Sequence, residues 1–192
     1  MLAAMRPILL LVLCAGPAAV AAPADYAFAP VHSQVMFSAD HLGFSHPVGR
    51  FAAPTGSFRF DADDWSSASV DATVDVATLD LGDAAWQKKM LSDEFFDAAA
   101  HPTMRFVSER VEATGKDSLR IHGQLTFRGV TRPLTLETRI NRIGRHTYSM
   151  KYVAGFSATA TLKRSDFGMT TNLPGIGDDV RISIPVEALK DS

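Results

Sequence analysis

The stretch YSMKYVAGFSATATL, residues 148–162, decides the fold. Tyr148, Met150, Tyr152, Ala154, Phe156, Ala158, Ala160 and Leu162 recur at every second position, and most residues between them are polar or small. Period two is the signature of a strand with one face on a core. A strand this long favours a closed barrel over a two-sheet sandwich, because a long curving strand can serve both halves of a closed sheet.

Outward from this stretch the same period repeats. Val35, Phe37, Ala39 and His41 alternate, and Phe58 and Phe60 follow a loop containing Pro54 and Gly56. Val70, Ala72, Val74 and Val76 form another series, as do Leu119, Ile121, Gly123, Leu125 and Phe127. Leu134, Leu136, Thr138 and Ile140 come next, and Val180, Ile182, Ile184 and Val186 are last. Met104–Val111 also reads as a strand, with a phase slip expected at the adjacent Phe106 and Val107, where a bulge would sit. One short helix is expected from an Asp83 cap through Phe96, with Trp86 and Met90 on one face. The fold class is therefore all-β: an extended antiparallel β-barrel of about eight strands with one short helix.

The inward positions are apolar but uneven in size. Ala39, Ala72, Gly123, Thr138, Ala154, Ala158 and Ala160 are small among Phe, Ile, Leu and Met. The pattern fits a cavity for a chain-like apolar molecule, and it fits equally a solid core with small residues under the helix. Two polar residues share the inward phase at strand ends, His41 and Arg164. Either could meet the polar head of an amphipathic ligand. The plainer alternatives are a histidine bonded to backbone and an arginine paired with Asp166, Asp178 or Asp179.

Composition narrows the function. Hydrophobic residues are 46% and charged residues 21%, ordinary for a globular domain. A net charge of −2 without a long basic run gives no support to nucleic-acid binding. Residues 1–22 read as a cleaved signal peptide: Arg6, an apolar run from Pro7 to Leu13, small residues to Val20, and Ala19-Val20-Ala21 as the cleavage site. Residues 23–192 are then one exported domain, with a periplasmic location expected. The single cysteine, Cys14, lies inside the leader and follows Leu13, which does not suit a lipidation site. The six histidines show no HxH, HExxH or i,i+4 spacing, and no nucleophile elbow or phosphate loop occurs, so no catalytic residue, metal or cofactor is expected.

Five motifs, in order, resemble those of the YceI-like family of periplasmic polyisoprenoid-binding proteins. They are Phe37–His41 with Leu42-Gly43-Phe44-Ser45 and Gly49-Arg50-Phe51; Ser92, Phe95-Phe96-Asp97, Pro102 and Phe106; Gly123-Gln124-Leu125-Thr126, Gly129-Val130-Thr131 and Pro133-Leu134-Thr135-Leu136; Arg164-Ser165-Asp166-Phe167-Gly168-Met169; and Gly177-Asp178-Asp179-Val180. Met90 and His101 depart from the usual residues. The resemblance implies a lipocalin-like barrel with a long internal tunnel. It also implies a binding protein, not an enzyme, for an isoprenoid quinone, a polyprenyl phosphate or another long-chain amphipathic lipid. An enzyme acting on such a lipid and a stress-related scaffold are the alternatives. The residues expected to meet the ligand are Phe37, Ala39, His41, Phe58, Val74, Phe127, Leu136, Phe156, Ala158, Ala160, Leu162 and Arg164. The expected partners are the lipid and, transiently, a membrane or membrane redox proteins. The oligomeric state is open, a homodimer included.

Overall fold

The computed structural model describes residues 23–191; the leader reading, Cys14 included, lies outside them. Ten strands run in chain order: β1 Ala24–Phe28, β2 Val35–His41, β3 Val48–Phe51, β4 Thr55–Asp61, β5 Asp64–Asp75, β6 Thr103–Gly115, β7 Ser118–Phe127, β8 Val130–Arg145, β9 Tyr152–Lys163 and β10 Ile176–Lys190. One α-helix, α1 (Ala84–Met90), follows β5, and short 3-10 turns cover Val76–Thr78 and Arg164–Phe167.

All pairings are antiparallel, and eight strands, β1 and β4 to β10, close into a ring. The outer edge of β10 carries two partners. Ala188–Lys190 pair with β1, while Ile176–Ser183 pair with β2. Pro185, which has no N–H to give, falls in the gap between them. There the link from β1 to β2 covers the exposed carbonyls: the Gln34 N–H donates to Pro185 O at 3.2 Å and Ser33 Oγ to Glu187 O at 3.0 Å. At the other end β2 pairs with β3, and β3 reaches the segment after β5 through reciprocal backbone bonds of Arg50 and Asp80, 3.0 and 2.8 Å.

The alternation of β9 is as expected from Ala154 onward: Ala154, Phe156 and Ala158 are buried, while Ser157 and Thr159 are exposed. Four details differ from the sequence reading. Strand β9 starts at Tyr152, so Tyr148 and Met150 stand in the turn of the β8–β9 hairpin and are 91% and 59% exposed. The β6 bulge lies between Ser108 and Arg110, which leaves Phe106 on the inner face. The helix ends at Met90, with Leu91 as its C-cap and Ser92 Oγ donating back to Lys89 O at 2.7 Å, so Phe95 and Phe96, both buried, lie beyond it. Strands β1 and β3 are additional. Asp83 does cap α1, accepting the Trp86 N–H at 2.8 Å.

Gly123 reads in sequence as open space but is not. A Cβ there would lie 2.3 Å from Val107 O and 2.6 Å from the Phe106 ring, which is folded over the glycine. Gly123→Ala is therefore expected to destabilise the protein by about 1–3 kcal/mol through overpacking. Equilibrium urea unfolding measures this, and an unchanged midpoint would contradict the packing described.

Candidate functional site: the barrel cavity

The inner face does not fill the barrel. A cavity of about 440 Å³ runs between two aromatic clusters. At the end beneath the β4–β5 turn, Tyr26 stacks on Phe60 at 4.2 Å, Phe60 on Trp65 at 5.0 Å, and Phe156 meets Phe58 edge-on at 5.2 Å. At the α1 end, Phe37, Phe51 and Phe96 lie 5.4–5.7 Å apart, and Phe127 joins Phe96 to Phe167 at 5.7 and 5.4 Å. Between the clusters the wall is alkyl, with Val70, Val74, Leu136, Ile182 and Ile184 among its members. Such a wall gives a ligand apolar contact and little else.

The expected residues fall as follows. Phe37, Ala39, His41, Phe58, Val74, Phe127, Leu136, Phe156, Ala158, Leu162 and Arg164 all line the cavity. Ala160 does not; it packs against the core beside them, opposite Ile182 of β10. Sequence reasoning missed the contribution of α1 and the chain after it. Trp86, Lys89, Met90, Phe95 and Phe96 close the cavity from one end. The 3.6-residue spacing of Trp86 and Met90 was the available signal for two of them.

His41 ends β2 at the rim of the cavity, exposed, its backbone N–H donating to Ser45 O at 2.8 Å. Its imidazole has no side-chain hydrogen bond or ion pair among the described residues.

Arg164 corrects the expectation. The chain leaves the sheet after Lys163, so Arg164 begins a 3-10 turn instead of extending β9. Its side chain is 3% exposed and meets backbone, not an aspartate. Nε donates to Gly177 O at 3.0 Å, Nη1 to Met169 O at 2.9 Å and Nη2 to Ile176 O at 2.9 Å. These bonds tie both ends of the 169–177 loop, whose Asn172 and Ile176 form part of the cavity wall. Burial pushes the guanidinium below its ordinary pKa, and the charge of Asp178 partly opposes this. Asp178 accepts instead from Ser165 N and Oγ at 2.9 and 2.8 Å. Burial acts to raise its carboxyl, but these donors, Lys163 and Arg164 hold it below the usual range.

Thr138 is a further polar member of the wall. It is 6% exposed, between Leu119 and Ala158, and its Oγ1 has no hydrogen-bond partner. Among the described residues, no group of three or more His, Cys, Asp or Glu could hold a metal ion.

Comparison with known proteins matches residues 26–188 to the family model described as "YceI-like domain". A UPF0312 protein of Pseudomonas paraeruginosa is 35% identical over 159 residues, 83% of this chain and 82% of that protein. One from Shewanella denitrificans is 34% identical, covering 83% of each chain. Among solved structures, the Campylobacter jejuni YceI protein shares the fold at TM-score 0.72 and 26% identity, covering 80% of this chain and 90% of that one. A polyisoprenoid binding domain from Saccharophagus degradans aligns at TM-score 0.65 and 15% identity, covering 88% and 99%.

Two substitutions separate the polar residues. Arg164→Met strands one buried and two half-buried carbonyls and is expected to cost about 2–4 kcal/mol of stability; a loss under about 1 kcal/mol in urea unfolding would show that the loop does not depend on it. Thr138→Val removes an unpartnered hydroxyl and keeps the shape. In lipid-free protein it is expected to stabilise by about 1 kcal/mol, and a lowered melting temperature would contradict that assignment.

Proposed function

We propose that this chain, which belongs to the YceI-like domain family, holds the apolar chain of an isoprenoid-type lipid in its barrel and stores or carries it without transforming it. The observation that carries this reading is the 440 Å³ cavity, walled by hydrocarbon from one aromatic cluster to the other. A prenyl chain burying several hundred Å² there gains on the order of 10 kcal/mol gross at about 25 cal/mol per Å², before ordering costs. The binding named for the Saccharophagus degradans domain supports the same ligand class.

The polar head sits at the His41 end. Arg164 lies in the same wall with no carboxylate within ion-pair distance among the described residues, and three of its five N–H groups are used by carbonyls. With Lys89 it contributes positive charge to that end of the cavity, set against the carboxylates of Asp40 and Asp178, and a phosphate head is the partner proposed for it. Binding without turnover is the better reading, because among the described residues no side chain orients His41 as an acid or base. Export to the periplasm through a cleaved leader, and exchange of the lipid with a membrane, belong to the same proposal.

Ala158 tests it. Its side chain lies on the cavity wall between Thr138 of β8 and Ile184 of β10, so Ala158→Phe would place a ring in the space for the chain. Affinity for a polyprenyl phosphate in detergent is expected to fall at least about tenfold, with the β-sheet circular dichroism retained. Thr159→Phe, on the outer face of the same strand, is expected to bind like wild type. Unchanged affinity in folded Ala158→Phe would overturn the cavity as the binding site.

A further inference from the structure

The β8–β9 hairpin concentrates unpaired cations and exposed apolar side chains in one stretch. No carboxylate occurs between Glu137 and Asp166, and of the six cations in that interval four, Arg139, Arg142, Arg145 and Lys151, lie toward the hairpin, in a chain of net charge −2. All four are exposed, and none makes a salt bridge among the described residues. By contrast Arg50, Arg105 and Arg120 are each paired with a carboxylate at 2.6–2.7 Å. The tip carries apolar bulk that none of the described residues covers: Tyr148 is 91% exposed, Met150 59% and Tyr152 44%.

The backbone makes this a defined projection. Arg145 pairs with Tyr152, and the turn between them is closed by His146 N–H to Lys151 O at 2.8 Å and Met150 N–H to His146 O at 2.9 Å. The last pairs of β8 with β9 lie beyond the point where β7 begins, since Ser118 is opposite Arg139. Lys190, at the end of β10, adds a further cation 5.8 Å from the Tyr152 ring. Unpaired cations around exposed Tyr and Met are the chemistry of a surface that meets the interface of an anionic bilayer. Cations attract the lipid phosphates, and the amphipathic side chains enter the headgroup region.

We propose that the β8–β9 hairpin docks the protein on anionic membranes, with Tyr148 and Met150 entering the interface and Arg142, Arg145 and Lys151 facing lipid phosphates. The docking does not rest on the lipid-carrying reading, because none of these residues lines the cavity.

Flotation of the purified protein with vesicles of phosphatidylglycerol and phosphatidylcholine, against phosphatidylcholine alone, tests the proposal. Wild type is expected to float with the anionic vesicles, less so as salt rises. Each cation at such a surface contributes roughly fivefold, so R142Q/R145Q/K151Q together should lower partitioning about a hundredfold. Tyr148→Ser with Met150→Ser should lower it at low and high salt alike. A variant with the same loss of charge elsewhere, K88Q/R132Q/R181Q, should lower it much less. Polyprenyl phosphate affinity in detergent should stay at the wild-type value in the hairpin variants, which separates failure of docking from failure of the cavity reading. The proposal is overturned if wild type does not prefer anionic vesicles, or if both triple variants lose binding equally. It is overturned too if Phe44→Ser at the opposite end abolishes flotation while the hairpin variants do not, or if the hairpin binds single-stranded RNA in preference to vesicles.

Discussion

The barrel depends on β10 finding two partners along one edge. A sheet of this length left open would expose a row of unpaired N–H and C=O groups. Here β1 takes the last residues of β10 and β2 takes the first, with Pro185 at the change of partner. That division closes the ring of eight strands at one end and leaves β2 and β3 to complete the wall at the other. It also sets where the cavity lies. Phe37 and Ala39 of β2 form its wall toward α1, and the aromatic cluster built on Tyr26 of β1 caps it at the far end.

Within that frame the sizes of inward side chains decide what is filled. Phe106 over Gly123 and Phe37 over Gly49 show glycines that let an aromatic ring lie against the sheet. The alanines differ: Ala39, Ala72 and Ala158 leave space that no neighbour takes up. Aromatic pairs then flank the space at both ends, where edge-on and stacked contacts hold rings in fixed places. An apolar space with few polar atoms stays dry, which suits a hydrocarbon chain.

How far the sequence disclosed this follows from where each interaction is local. Strands β2 and β4 to β10 were legible because their apolar alternation has to match one core. β1 was not, being five residues long with only Tyr26 buried, and β3 was not, because it points Gly49 and Phe51 inward and Val48 out. The strand residues named for the cavity wall, Ala160 excepted, were legible for the same reason as the strands, while most of the wall was not named. Arg164 was not: its phase continues that of Leu162, but its place is set by carbonyls of Met169, Ile176 and Gly177, loop positions no periodicity reports. The contribution of Phe95 and Phe96 was hidden by an expected helix that ends at Met90, before them. Gly123 misled because the space it leaves is taken by a ring on the neighbouring strand.

Native mass spectrometry of the protein purified without added lipid tests the central claim most directly. The account predicts a folded ion heavier than the polypeptide by the mass of one prenyl-chain lipid. That increment should be lost on acid denaturation and recovered in an organic extract as a compound with repeating isoprene losses. A folded ion at the bare polypeptide mass, which also gains no mass after incubation with polyprenyl phosphate or an isoprenoid quinone, would contradict it.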